Sequence, residues 1–345
     1  MVENGGNGVK DLTIIGGGPT GLFGLFYAGV RHLDTQLVEA MDEIGGALSA
    51  LYAVKNVYDM AGFPAILAKD LVAALHEQAD QWQYPIFLSQ KITELEERDG
   101  VYVLHSQSGQ EFKSKTVLIA NGNGSLAPRK LKIPGIEPLE DKQVFYTVKN
   151  LETFRDKRVL IIGGGDSALD WALELEKVAK MATLIHRLPV WQAHEATVRQ
   201  LIYSEVDVHF PRHEASELHV TDGKLTGVTI TNLTSKETFD LEVDIILICI
   251  GFLMDTTVIR KWGVDLEGRK GIKVDPATMV TSRPGVYAAG DIAAYEGKIN
   301  LIACGASEAA MAVNQAVRYI NPDARLAPGH SSDMDIFTKR DKPET

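Results

Sequence analysis

The chain holds 345 residues, 45% hydrophobic and 23% charged, with a formal net charge of −11. That composition suits a globular protein with room for two domains, and its acidic balance excludes the basic footprint of a nucleic-acid binder. No stretch approaches the ~20 apolar residues needed to cross a bilayer and the N-terminus MVENGGNGVK is polar, so a cytoplasmic location with no membrane contact is expected.

The first predicted element is the apolar run Leu12 to Ile15, which suits a buried parallel strand. Gly16-x-Gly18-x-x-Gly21 turns it into an apolar helix, and a second β run, Gln36 to Val38, ends at Glu39. Gly16 permits a tight turn, Gly18 lets the backbone approach a pyrophosphate, and Gly21 lets helix and strand pack closely. The helix N-terminus then faces the anion, and Glu39 can accept from a ribose 2′-hydroxyl. Because strand, helix, second strand and acid all occur at the expected spacing, the stretch is a dinucleotide-binding unit.

Next, DEIGGALSA leads into Leu51-Tyr52, where Tyr52 reads equally well as a half-buried loop aromatic. Residues 69–82 have helical spacing, and 85–122 read as successive strands with Asp99-Gly100 and Ser108-Gly109 turns, a small antiparallel sheet within a doubly wound domain. The Gly, Pro and basic residues of 123–135 suggest a domain connection.

The opening then repeats. Arg158 to Ile162 runs into Gly163-x-Gly165-x-x-Ala168, a helix and a strand at Thr183 to Ile185. Two such units imply two dinucleotides. Glu39 falls 23 residues after Gly16, and the same count from Gly163 reaches His186, followed by Arg187. A carboxylate there repels a 2′-phosphate whereas Arg187 can pair with one, which favours NADP; the alternative is a solvated strand-end charge. Further strands follow, with hairpin signals at Asp222-Gly223 and near Ser235. The segment TSRPGVYAAGD ends a strand at Asp291, which suits cofactor hydroxyls or an N-cap, and 301–318 reads as a helix starting at Gly305-Ala306-Ser307.

GGGPTG with Glu39, GGGDSA with His186-Arg187, and PGVYAAGD with Asp291 together resemble the flavoprotein disulfide reductases, in particular the low-molecular-weight thioredoxin reductase branch, over nearly the whole length. That branch carries a Cys-x-x-Cys before the inner helix. This chain has only Cys249 and Cys304 and no such pair, so it is similar to the thioredoxin-reductase-like ferredoxin–NADP⁺ reductases. The phrases LTIIGGGPTG, IGGALSALY, YDMAGFP, APRKL and the tail GHSSDMDIF carry this likeness.

The resemblance implies an α/β fold of two Rossmann-like, three-layer ββα domains, one inserted in the other. We expect the FAD domain at 1–124 and 282–330, the NADP(H) domain at 125–281 and a C-terminal extension at 331–345. It implies FAD contacts at Gly16, Gly18, Thr20, Gly21, Glu39, Gly46, Ala47, Ile92, Leu126, Asp291 and Ser332, with Tyr52 and His330 stacked on the flavin. The NADP site is implied at Gly163, Gly165, Asp166, Ser167, His186 and Arg187. Ala47 departs from the family's glutamine, Ala53-Val54 from its Pro-Glu, and Leu188 from a second arginine.

The implied activity is electron transfer between NADPH and ferredoxin or flavodoxin by a homodimer, hydride to FAD and then single electrons onward, with no catalytic side chain or metal required. Hinges are expected near 122–128 and 274–284. The basic residues Arg129, Lys130, Lys132, Lys142, Lys149, Arg155, Lys157 and Arg158 form either a ferredoxin-docking patch or a solvated face. Cys304 reads as a thiol near a helix start or as a small buried filler. Rival readings are another NAD(P)H-dependent flavin reductase or oxidase, a single-thiol disulfide reductase, and a non-enzymatic module that senses redox state by holding FAD and NADPH.

Overall fold

The computed structural model describes residues 8–52, 54–122, 124, 127–253, 256–268, 271–326 and 329. The chain divides into two compact units, one formed by Met1–Ser125 with Met254–Thr345 and the other by Leu126–Leu253.

In the first unit the strand Lys10–Ile15 lies between Thr35–Val38 and Glu111–Ile119, parallel to both. Ile86–Phe87 and Val286–Ala288 extend the parallel sheet at its two sides. Glu111–Ile119 serves a second sheet as well: residues 111–114 pair antiparallel with Val101–Ser106, which pairs with Ile92–Arg98. The alternation of buried and exposed residues in EFKSKTVLI changes to four consecutive buried residues where the strand enters the parallel sheet.

The helices Pro19–Val30 and Ile302–Ile320 pack together, and Gly24 brings the first within contact of Leu118, Ile14 and Ala309. Small buried residues of the second helix, Gly305, Ala309, Ala312 and Ala316, recur at helical spacing and permit this close approach.

The second unit repeats the topology. Its strand Arg158–Gly163 lies between Met181–Ile185 and Ile245–Cys249, and Asp207–His209 and Val144–Phe145 complete a five-stranded parallel sheet. A three-stranded antiparallel sheet, His213–Thr221, Lys224–Asn232 and Thr238–Glu242, buries Leu225, Val228 and Ile230 with Leu160, Ile162 and Ile246 of the parallel sheet. The hairpin at Asp222-Gly223 has positive φ at both residues, 51° and 73°, as its two-residue turn requires.

The crossing out of the inner unit differs from expectation. Ala127–Pro128 pairs antiparallel with Phe252–Leu253, so the chain enters and leaves over adjacent strands, and residues 254–281 belong to the first unit. Ile259, Trp262, Val264, Ile272, Val274 and Met279 are buried in its core, and Arg283 Nη1 donates to the carbonyls of Trp262 (2.5 Å) and Leu95 (3.1 Å). Residues 274–284 are therefore part of a domain, not a hinge. Composition suggests a hinge at 274–284, and the burial of Val274 and Met279 decides otherwise.

Candidate functional site

In each unit a glycine turn leaves the central strand where its two parallel neighbours lie on opposite sides of it, the switch point at which open α/β sheets form a crevice. In the first unit Gly16 has φ +110°, and a Cβ there would lie 2.5 Å from the Ala120 carbonyl oxygen. A Cβ on Gly21 would lie 1.9 Å from the Gly16 carbonyl oxygen, so glycine at both positions is a steric requirement. Gly18 precedes the helix without a side-chain cap, which leaves first-turn N–H groups available to an anion.

Glu39 is buried, and its carboxylate braces the turn. Oε2 accepts from Gly17 N–H at 2.5 Å and Oε1 from Met41 N–H at 2.8 Å. Gly45 N–H donates to the Gly17 carbonyl, and the Gly46 backbone approaches Gly18 closely, so the segment before Ala47 lies against the same turn. Ala47 is exposed at the start of the short helix Ala47–Tyr52. Ile92 is buried at the head of its strand, with Gln90 N–H donating to the Glu39 carbonyl just before it.

Residues far apart in sequence meet at Thr20. A Cβ on Gly290 would lie 2.7 Å from Thr20 Oγ1, and one on Gly305 would lie 2.4 Å from it. The turn Gly290–Ile292 and the uncapped start of Ile302–Ile320 thus converge on the first turn of Pro19–Val30. Asp291 is open to solvent although surrounded largely by protein, and this desolvation pushes its carboxyl up; Lys298 acts downward and Glu308 upward. Beside Gly16, the buried Asn121 Oδ1 has no hydrogen-bond partner.

In the second unit Gly163 abuts the Cys249 carbonyl, and a Cβ on Gly164 would lie 2.2 Å from the His186 ring. His186 is buried in a ring stack, 5.2 Å from Trp191, which is 4.3 Å from Phe210. Burial lowers its pKa, with Arg187 acting in the same direction and the 3.1 Å contact of Nε2 with the Val190 carbonyl opposing. The following loop folds back on the turn: Gln192 N–H donates to the Gly164 carbonyl and His194 N–H to Asp166 Oδ1, both at 2.7 Å. Gly165 precedes the helix Asp166–Leu175 without a side-chain cap, Ser167 lies in the first turn, and Arg187 is exposed, without an ion pair among the described residues. The structure thus gathers every expected NADP-site residue around one turn, with His186 beneath it and Arg187 outside.

Residues 10–316 match the pyridine nucleotide-disulphide oxidoreductase family. The chain belongs to that family. Two curated relatives of the family member are ferredoxin–NADP reductase 2 of Shouchella clausii, 45% identical over 94% of this chain and 97% of the relative, and ferredoxin–NADP reductase of Sulfurisphaera tokodaii, 46% identical over 95% and 99%. The fold is similar to the crystal structure of Lactococcus lactis thioredoxin reductase, with a TM-score of 0.79 at 24% identity, over 90% of this chain and 99% of that one.

Several expected contacts in this family member lie outside the described residues: Leu126, His330, Ser332 and the side chain of Tyr52. The long helix spans Ile302–Ile320 against the expected 301–318, so Cys304 and Gly305 sit within its first turn. Cys249 and Cys304 form no disulfide. Within the basic segment Lys130 pairs with Glu140, Arg155 with Glu152 and Arg158 with Asp244 and Glu242, which neutralises three of its eight cations. Sequence reasoning passed over Asn121, Gln192, His194, Lys298 and Glu308. Of these only Glu308, an acid on the small-residue face of a helix, carried a legible signal.

Proposed function

We propose that the protein transfers electrons from NADPH through FAD to ferredoxin, as a ferredoxin–NADP⁺ reductase of the pyridine nucleotide-disulphide oxidoreductase family. The observation that carries this reading is the pair of uncapped glycine turns, each at the switch point of its own parallel sheet, in a chain without the Cys-x-x-Cys of a dithiol relay. The names of the relatives at 45% and 46% identity support the acceptor.

The first site fits FAD by the chemistry of its donors and acceptors. The N–H groups after Gly18 hold the pyrophosphate, the remaining lone pairs of Glu39 accept from the adenosine ribose, and Asp291 accepts from the ribityl hydroxyls. Asn121, whose carbonyl oxygen lacks a protein partner, supplies a polar group at the same crevice. Gly16, Gly21 and Gly46 allow the backbone approach, Thr20 lines the phosphate turn, and Tyr52 and His330 cover the two flavin faces. Ile92, Leu126, Ala47 and Ser332 complete the FAD contacts. At the second site Gly163, Gly165, Asp166 and Ser167 form the phosphate turn, while Arg187 pairs with the 2′-phosphate beside His186. Bound FAD accepts two electrons from NADPH and releases them one at a time. The protein acts in the cytoplasm as a homodimer and also accepts flavodoxin as partner.

The test is anaerobic reduction of the purified holoenzyme by NADPH and by NADH, followed by cytochrome c reduction with and without ferredoxin. Fast bleaching that prefers NADPH, with cytochrome c reduction dependent on ferredoxin, is the expected result. Bleaching without ferredoxin dependence would move the function to another acceptor.

A further inference from the structure

A charged pair is buried behind Asp291. Glu308 is 3% exposed on the helix Ile302–Ile320, and Lys298 Nζ donates to its Oε1 at 2.5 Å. The Tyr295 hydroxyl donates to the same oxygen at 2.6 Å, and Glu308 Oε2 accepts from the Gly290 N–H at 2.8 Å. Lys298 also lies 5.5 Å from the centre of the Tyr295 ring. Desolvation offsets much of the attraction in a buried ion pair, so stability alone is a weak reason for one here. Its position supplies a better reason. Glu308 holds the amide of Gly290, which has φ +76° and approaches Thr20, and the next residue is Asp291.

We propose that Glu308 and Lys298 are positioning residues for the FAD site: Glu308 fixes the turn that presents Asp291, and Lys298, paired to Glu308, favours the accepting form of the Asp291 carboxylate. The inference rests on the reading that Asp291 contacts FAD. The charged groups acting on Asp291 are Lys298, from the loop after Ala293–Ala294, and Glu308, from the helix. Desolvation by the site works against ionisation and Lys298 works for it. Tyr295, pushed up to about 12 by burial and by Glu308, remains a donor through the relevant range, and Cys304, one turn before Glu308, is the other titratable group near this cluster.

The test follows FAD release from the holoenzyme by flavin fluorescence between pH 4 and 8, in wild type, Glu308→Gln, Lys298→Met and Asp291→Asn. In wild type, affinity falls on acidification as Asp291 takes up a proton. Glu308→Gln removes a negative neighbour and leaves Lys298 charged, so the acid limb should move down by roughly 0.5 pH unit or more. Lys298→Met removes the positive neighbour and should move it up. Asp291→Asn should abolish the limb. A merely structural pair would lower thermal stability in both variants and shift neither limb. Unshifted limbs, or shifts of the same sign, overturn the proposal. Full FAD affinity with an unchanged limb in Asp291→Asn instead overturns the reading of Asp291 on which it rests. Should Glu308→Gln fail to fold, an unshifted or downward limb in Lys298→Met suffices to reject the proposal.

Discussion

Gly21→Ala tests whether the first glycine turn is the anion site. The added Cβ would lie 1.9 Å from the Gly16 carbonyl oxygen and 3.0 Å from its carbon, both backbone atoms that no rotamer change can move. The oxygen contact is roughly 1.5 Å short of a normal van der Waals separation. The helix Pro19–Val30 must therefore lift from the strand at its N-terminal end, where Gly46 already touches Gly18 and the Gly290 and Gly305 backbones close on Thr20. Overpacking costs about 1–3 kcal/mol, and a backbone clash belongs at the upper end. At about 2–4 °C per kcal/mol in a unit of this size, the apoprotein should lose about 6–12 °C in Tm. Displaced N–H groups should also weaken FAD binding at least tenfold. Gly24→Ala is the control, because its Cβ would meet only side-chain methyls, the nearest Leu118 Cδ2 at 3.1 Å, and gains helix propensity of about 1 kcal/mol. Scanning fluorimetry of the apoprotein and an FAD titration measure both. Wild-type Tm and affinity in Gly21→Ala, or equal damage in Gly24→Ala, would refute the steric argument.

Arg187→Ala removes an exposed cation beside the inner turn. A charge-assisted bond of about 1.5–3 kcal/mol corresponds to a roughly 10- to 100-fold rise in KM for NADPH, with NADH unchanged; equal effects on both nucleotides in steady-state kinetics would remove Arg187 from the 2′-phosphate. Because His186 is depressed in the folded state, chiefly by burial, the unfolded chain binds the extra proton, and stability should fall as pH drops through the unfolded value near 6.5. His186→Phe keeps an aromatic ring in the stack and should flatten the loss of Tm between pH 7 and 5; parallel slopes contradict this. Asp244 is held below its ordinary range, first by its hydrogen bonds from Arg158, so it stabilises above the unfolded carboxyl pKa near 4 and loses that contribution as pH falls through its folded value. Asp244→Asn should cost about 1 kcal/mol at pH 7, the upper end for a partly exposed pair, with the gap closing in acid; urea titrations at the two pH values decide. Cys304→Ser should leave ferredoxin-dependent turnover intact, since no dithiol is involved, and abolished turnover would favour the single-thiol reading.

Local steric demands made much of the fold legible. The turns at Gly16 and Gly163, the strands beside them and the Asp222-Gly223 hairpin each depend on neighbours in sequence. The end of the inner unit was not legible. Residues 274–284 read as a hinge by composition, whereas the boundary is set by Trp262 and Met279 finding a core contributed by residues near 14 and 118, a fact about the fold rather than the segment. The convergence of Thr20, Gly290 and Gly305 was hidden for the same reason, since sequence gives no measure of which chain ends meet. His186 was found by counting, but its burial under Gly164 depends on Trp191 and Phe210 stacking from a loop and a strand end.

The two turns show how one topology separates two dinucleotides. In each, the middle glycine rests on the residue 23 positions after the first: Gly17 on the Glu39 carboxylate, Gly164 on the His186 ring. The brace is mechanical in both, and its charge differs. Glu39, tied to the turn through Gly17 N–H, brings a fixed negative charge to the strand end, which attracts ribose hydroxyls and opposes a phosphate there. Burial pushes the His186 imidazole toward its neutral form, and the next residue, Arg187, brings a positive charge to that strand end. Exchanging acid for imidazole thus preserves the support beneath the glycine while reversing the local potential. On the proposed assignment, that difference in charge at the strand end matches FAD to the first turn and NADP to the second.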